Sequence, residues 1–311
     1  MRKIISIVTP CYNEEDNVEE LARRVKTIFL TELPGYDWEH IFIDNASTDQ
    51  TVSILKKMAS EDSRVKLIIN SRNFGHVRSP VYGLLQAKGD AVISVVADLQ
   101  DPPEMIPAFI KKWEEGNDIV LAIKKNSEEH RLMFKVRKLY YYLLSKLSEV
   151  RIFKNYTGFG LYDRRVIAAL RELQDPYPFF RGMVAEVGYQ VAELEYNQPM
   201  RVKGLTKHNF YSLYDMGMLG IMNNSKLPLR MLVFFGFVMS FLSLLTGFAY
   251  FIAKLFFWNE MRLGVAPLVI GGAFAFSVMM FFMGIIGEYV GAIYTQVLNR
   301  PLVFEKERIN F

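Results

Sequence analysis

Val92-Ile93-Ser94-Val95-Val96-Ala97-Asp98-Leu99-Gln100-Asp101-Pro102-Pro103-Glu104 is an apolar, β-branched run that stops at two carboxylates and meets a double proline. Such a run reads as a buried strand of a parallel sheet, and the prolines open a helix. In an open α/β sheet, ligands lie just beyond the carboxyl ends of the strands. Asp98 and Asp101 therefore stand where a metal ion and a phosphorylated substrate are expected. Capping the following helix is another task for Asp101, but it explains neither Asp98 nor Gln100.

Outward from this stretch, residues 1 to about 125 alternate strand and helix. The pattern predicts strands over Ile4–Val8, His40–Ile43, Val65–Ile69, Ala91–Val96 and Ile119–Ala122. Helices are expected over Asp16–Leu30, Thr48–Ala59, Val77–Lys88 and Pro103–Trp113, with Gly89 ending the third. Such alternation implies a mostly parallel, doubly wound α/β sheet. No G-x-G-x-x-G follows the first strand and no Walker A sequence appears, which argues against a dinucleotide oxidoreductase and a P-loop NTPase. Polar residues gather after four strands: Pro10, Tyr12, Asn13 and Glu14; Asp44, Asn45, Ser47, Thr48 and Asp49; Arg72, Asn73 and His76; Asp98, Gln100 and Asp101. One such cluster could be turn chemistry. Four on one rim describe a place for a nucleotide.

The second half has a different composition. His130 to Val150 mixes Arg131, Lys135, Arg137, Lys138 and Lys146 with leucines and a tyrosine cluster. This basic amphipathic helix suits a membrane interface, or else an ordinary seat on the sheet. Phe210, Leu213, Tyr214, Met218, Ile221 and Met222 recur at helical spacing between Asn209 and Asn224, as in a juxtamembrane helix, although the methionines equally suit plain core filling. From Met231 to Trp258 the only charge is Lys254, and from Leu263 to Ile293 the only charge is Glu288. Each run exceeds the roughly 20 residues that cross a bilayer as a helix. Lys226 and Arg230 before the first run, and Arg300, Lys306 and Arg308 after the second, place both ends on the cytoplasmic side. A strand pattern from Ile4 leaves no signal peptide expected. Single Cys11 agrees with a reducing compartment. The net charge of +4 comes without a basic stripe of interleaved aromatics, so nucleic acid is not an expected partner.

These motifs resemble family 2 glycosyltransferases of the polyprenyl-phosphate type, which include dolichyl-phosphate mannosyltransferase and bacterial undecaprenyl-phosphate glycosyltransferases. The residues carrying the resemblance are Pro10-Cys11-Tyr12-Asn13-Glu14-Glu15, Asp44-Asn45-Ala46-Ser47-Thr48-Asp49, Arg72-Asn73-Phe74-Gly75, Asp98-Leu99-Gln100-Asp101-Pro102-Pro103-Glu104 and Arg181-Gly182. Arg201 with Gly204-Leu205-Thr206-Lys207, Pro228-Leu229-Arg230, and Gly287-Glu288-Tyr289 with Arg300-Pro301 complete the set. The resemblance covers nearly the whole chain and implies a GT-A, Rossmann-like fold. Residues 1–208 would form the catalytic domain, 209–228 a juxtamembrane helix, 229–296 a two-helix transmembrane hairpin and 297–311 a cytoplasmic tail.

The implied activity is inverting transfer of a sugar from a nucleotide donor, UDP-linked by expectation, to undecaprenyl or another polyprenyl phosphate at the inner membrane. Pro10, Tyr12, Glu14, Asp44 and Asn73 would line the nucleotide, and Arg201 and Lys207 would reach its phosphates. Asp98 and Gln100 would hold Mg²⁺ or Mn²⁺ against the diphosphate. Asp98, Arg181 and Arg201 are the expected catalytic residues. A lipid phosphate is already an anion, so it needs positive charge nearby rather than a strong base. Lys124, Arg131, Arg137 and Arg181 are candidates for that charge. A homo-oligomer is expected from the glycine-bearing spans.

Three departures from the family pattern stand out. Val96 takes the place of the first Asp of an Asp-x-Asp. Gly158 and Gly160, in Thr157-Gly158-Phe159-Gly160-Leu161, take the places of an Asp and an Arg. Asn45-Ala46 replaces Asp-Gly, and His76 replaces Lys. Either a subgroup works without those groups, or the chain is a weakly active or inactive nucleotide-sugar-binding membrane scaffold.

Overall fold

The computed structural model describes residues 2–125, 153, 155–198, 227–256 and 265–311. The expected helices at 130–150 and 209–224 lie outside the described residues, as do Arg131, Arg137, Arg201 and Lys207.

Eight strands form one sheet: β1 (Ile4–Cys11), β2 (Asp37–Asp44), β3 (Val65–Asn70), β4 (Ala91–Ser94), β5 (Ile119–Lys124), β6 (Tyr156–Asp163), β7 (Val191–Tyr196) and β8 (Glu305–Ile309). Their spatial order is β7-β5-β6-β4-β1-β2-β3-β8. The pairs β1/β2, β1/β4, β2/β3 and β5/β7 are parallel, whereas β6 runs antiparallel to both β4 and β5, and β8 antiparallel to β3. The chain steps outward from β1 to β3, then returns to place β4 on the other side of β1. The carboxyl ends of β1 and β4 therefore flank a topological switch point, where an open sheet leaves a crevice for ligands.

Helices cover both faces, and this is why β1 and β2 are buried almost throughout. One layer packs α1 (Val18–Thr31) and α4 (Ile106–Glu114) through Leu21, Val25, Phe29, Phe109 and Ile110. On the other side, α3 (Gly75–Gln86), α5 (Arg164–Glu172) and α6 (Phe180–Glu186) contribute Leu84, Val166, Ile167, Leu170, Met183 and Val184. The helix α2 (Thr51–Glu61) closes a third cluster around Leu55 and Phe42.

Several boundaries differ from expectation. β4 ends at Ser94, two residues early, because the chain turns into a loop in which Leu99 has φ +60°. α3 ends at Gln86, and Gly89 serves closeness rather than helix termination: a Cβ there would stand 2.6 Å from Ser6 Oγ and 2.7 Å from the Ile4 carbonyl. A short 3₁₀ turn at Pro103–Met105 precedes α4. The segment expected to be a tail ends as β8, inside the sheet.

Two long apolar helices follow, α7 (Leu227–Phe256) and α8 (Val265–Leu298), each long and apolar enough to cross a membrane.

Candidate active site

The β1 and β2 loops are sewn together at the carboxyl rim. Asn13, at φ +55°, takes Ser47 Oγ on its backbone N–H at 2.9 Å, and its side-chain oxygen accepts from Thr48 N at 2.8 Å. Glu14 N donates to Thr51 Oγ1 at 2.9 Å, and Gln50 N donates to Glu15 Oε2 at 2.8 Å. These bonds consume Ser47–Gln50, so α2 starts at Thr51 rather than Thr48. Fully buried Asp44 accepts from Ser47 N at 3.0 Å and from the Ser47 hydroxyl. Burial raises its carboxyl above the usual range, and the two Ser47 bonds hold it back.

Asn45 links this rim to the loop after β3. Its Nδ2 donates to Asn73 Oδ1 at 3.0 Å, and its Oδ1 accepts from Phe74 N at 2.9 Å. Asn73 Oδ1 also accepts from Gly75 N at 2.8 Å, so that side chain shapes the loop that leads into α3.

The other half of the site gathers around Asp101. It is 3% exposed and accepts a 3.1 Å bond from the Tyr196 hydroxyl at the end of β7. Burial and then the charge of Asp98 raise its carboxyl to about 6, against the Tyr196 bond and the charge of Lys124 at the end of β5. Its bond goes to Tyr196 rather than to a helix start: Pro102 and Met105, not Asp101, are the N-cap residues of the turn and of α4. Asp98 is half-buried and accepts from Gln100 N at 3.1 Å across the turn that Leu99 makes. Behind them the hydroxyls of Tyr156 and Tyr162 on β6 bond each other. Burial raises Tyr156, and the Tyr162 bond and the Arg181 charge pull it down. Arg181 of α6 is thus brought to the same cluster as Asp101, Asp98 and Lys124.

The three tyrosines were not among the residues read from sequence. Tyr196 closes the alternating run Val191–Tyr196, which was the signal available for it. Asp163, by contrast, is occupied structurally. It accepts from Trp113 Nε1 at 2.7 Å and from Arg165 N at 2.8 Å, capping α5.

The positions that depart from the family pattern differ in their surroundings. Gly160 cannot carry a side chain, because a Cβ would meet the Val120 carbonyl at 2.4 Å. Gly158 has φ +109° with nothing within 4 Å of a would-be Cβ, so the space beside it is open. Ala46 takes the place of Gly at φ +62°.

Asp98 offers a carboxylate and Gln100 an amide oxygen, the hard donors that Mg²⁺ and Mn²⁺ prefer. The mutual repulsion of Asp98 and Asp101 is what a cation would relieve. Among the described residues no three or more His, Cys, Asp or Glu side chains form a complete metal cluster. The set therefore fits an ion that takes its other oxygens from substrate and water.

The Glycosyl transferase family 2 model matches residues 6–171. A bactoprenol glucosyl transferase derived from prophage SfII in Shigella flexneri is 36% identical over 96% of each chain. A prophage bactoprenol glucosyl transferase homolog of Escherichia coli K12 is 33% identical, again over 96% of each. Among solved structures, glucosyl-3-phosphoglycerate synthase from Mycobacterium tuberculosis aligns at 19% identity and TM-score 0.49, covering 71% of this chain and 78% of its own. A carboxylate-bearing crevice at the switch point of an α/β sheet and a family match over more than half of the residues lead to one conclusion: the chain is a glycosyltransferase and belongs to glycosyl transferase family 2.

Proposed function

We propose that the protein transfers a sugar from a nucleotide donor, UDP-linked in our reading, to undecaprenyl or another polyprenyl phosphate at the cytoplasmic face of the inner membrane. The observation that carries this reading is full-length similarity to bactoprenol glucosyl transferases, spans included. Large apolar side chains of α7 and α8 support the membrane part. Phe234, Phe237, Phe248 and Phe281 are all more than 60% exposed, a surface that water does not tolerate and lipid does.

In this reading residues 1–208 are the catalytic domain and 229–296 the anchor. Pro10, Tyr12, Glu14 and Asp44 line the nucleotide, and Asn73 holds the adjoining loop in shape. Asp98 and Gln100 would hold Mg²⁺ or Mn²⁺, which supplies positive charge to the departing diphosphate. An oxygen of the lipid phosphate attacks the anomeric carbon as the bond to the nucleotide diphosphate breaks, inverting that carbon. The nucleophile is already ionised at neutral pH, so the step needs no side-chain base, consistent with Gly158 standing where relatives have Asp. Lys124 and Arg181 lower the cost of bringing a second anion to the site. Arg131, Arg137, Arg201 and Lys207 are proposed to contribute phosphate contacts. Gly271, Gly272, Gly284, Gly287 and Gly291 leave open surface along α8, where helices of a second copy would pack.

The test is direct. Full-length protein is incubated with a panel of UDP-sugars, polyprenyl phosphate and Mg²⁺ or Mn²⁺, and glycolipid is measured. Metal-dependent product from one donor is expected. Tight donor binding by calorimetry with no product from any acceptor would favour the non-catalytic scaffold.

A further inference from the structure

Arg78, in α3, points its guanidinium toward the exit of α8. Its Nη2 donates to the Pro301 carbonyl at 2.5 Å. Its Nε is buried with no hydrogen-bond partner. Phe74 lies beneath it at 5.5 Å, and Arg72 covers the same ring at 4.0 Å. Arg300 precedes Pro301, two residues beyond the end of α8. Burial, followed by the charges of Arg72 and Arg300, weakens the hold of Arg78 on its proton. Three guanidinium groups thus crowd one small region. Among the described residues none of them is paired with a carboxylate, although surface arginines elsewhere, such as Arg64 and Arg165, are.

Arg300 also lines a cavity of about 210 Å³ at the seam between α8 and the catalytic domain. Asn299, Gln174 and Arg171 share its polar side, and Val81, Leu85, Leu170 and Met183 its apolar side. The one carboxylate there, Asp175, already accepts from Gln296 Nε2 at 3.0 Å and from Tyr177 N at 3.0 Å. Arg300 and Arg171 beside an aliphatic floor, next to the Arg72–Arg78 pair and where an apolar helix ends, match the chemistry of an amphiphile with an anionic head. The cluster stands apart from the Asp98–Asp101 end of the crevice. Arg72 follows β3 and Asp98 follows β4, and β1 and β2 stand between them, so about 14 Å of sheet divides the two.

We propose that Arg72, Arg78 and Arg300 form a site for the phosphate of a membrane phospholipid headgroup, which seats the catalytic domain on the bilayer beside the exit of α8. The forks of Arg72 and Arg300 supply charge-assisted donors to the phosphate oxygens, and Arg78, held on the Pro301 carbonyl, adds its charge. The aliphatic floor receives the glycerol and the start of the acyl chains. This inference rests on the membrane reading of α7 and α8 and is independent of glycosyl transfer.

The full chain is reconstituted in nanodiscs of equal parts phosphatidylcholine and phosphatidylglycerol, and the lipids retained on release are counted by native mass spectrometry. Wild type is expected to keep phosphatidylglycerol over phosphatidylcholine by about tenfold, and an Arg78→Gln/Arg300→Gln double variant to lose that preference. Equal retention by wild type, or an unchanged preference in the variant, overturns the site. In a second arm inorganic phosphate is added in phosphatidylcholine discs. Phosphate bound through these arginines without any preference for phosphatidylglycerol makes this an inorganic-anion site and overturns the lipid assignment. Should the double variant fail to fold, the single variants Arg78→Lys and Arg300→Lys replace it. They retain charge but lose the fork, and a smaller loss of preference is expected; no loss overturns the proposal. Failure to enter nanodiscs at all would instead count against the membrane reading itself.

Discussion

Ala46 holds a left-handed backbone conformation, φ +62°, in the loop that carries Asp44 and Ser47. A Cβ makes that conformation costly for any residue but glycine. Ala46→Gly is therefore expected to stabilise the domain by about 1 kcal/mol, read as a higher urea midpoint at unchanged slope. Asp98 presents the opposite case, a residue we propose is kept for chemistry. Asp98→Ala is expected to lower turnover by at least about 100-fold while leaving the melting temperature near that of wild type; near-normal activity would sink its assignment to the metal. Asp101 carries a pH signature. Its folded pKa of about 6 lies above the ordinary carboxylate value. Between roughly pH 4 and 6 the folded chain thus holds a proton that the unfolded chain has released. The stability this provides is complete below about pH 4 and is lost as pH rises through 6. Asp101→Asn cannot ionise. It is expected to be more stable than wild type by about 3 kcal/mol at neutral pH, with the gap closing in acid. Thermal melts across that range, with no gap at neutral pH, would refute the raised pKa.

At the scale of elements, legibility followed composition. Strands β1 to β5 are apolar runs bounded by turn residues, and periodicity finds them. β6 escaped because Tyr156-Thr157-Gly158-Phe159-Gly160-Leu161-Tyr162 carries two glycines, which weaken any strand pattern. The structure supplies the reason: β6 must approach β5 so closely that Gly160 has no room for a Cβ. Gly160→Ala is accordingly expected to cost about 3 kcal/mol, seen as a fall in the urea midpoint. β8 escaped for the opposite reason. Glu305-Lys306-Glu307-Arg308-Ile309 has the charge of a solvated tail, yet charge is also how edge strands avoid unwanted pairing. The candidate site was legible only at or just beyond a strand end, as with Asp44 closing β2 and Asp98 in the loop after β4. Tyr156 and Tyr196 stand more than 50 positions from Asp101, and no local pattern announces that three-dimensional closure.

For the whole molecule, the return of the chain after α8 changes how the anchor relates to the enzyme. A tether would need no structure beyond its length. Here residues 299–311 rejoin the catalytic domain at its β3 edge through many independent contacts. Ser71 N donates to the Phe304 carbonyl at 2.8 Å, the Tyr82 hydroxyl donates to Glu305 Oε1 at 2.8 Å, and Lys56 pairs with Glu307 at 2.5 Å. Asn310 Nδ2 closes the end, donating to the Ala59 and Val65 carbonyls at 2.7 and 2.9 Å. Ser71 leads directly into Arg72-Asn73-Phe74, the loop that Asn45 ties to the nucleotide rim. The strand after α8 therefore braces one wall of the crevice, although none of the candidate site residues lies on it. Replacing residues 303–311 with a Gly/Ser segment of equal length keeps the tether and removes the brace. Loss of about 2–4 kcal/mol is expected from the missing cross-strand pairs. Weaker donor binding by calorimetry is expected as well, because the β3 loop loses its support. Unchanged stability and donor affinity in that variant would reduce β8 to a tail that happens to lie along the sheet. A fall in both, with the apolar spans still inserted in lipid, would establish that the membrane anchor helps to form the donor site.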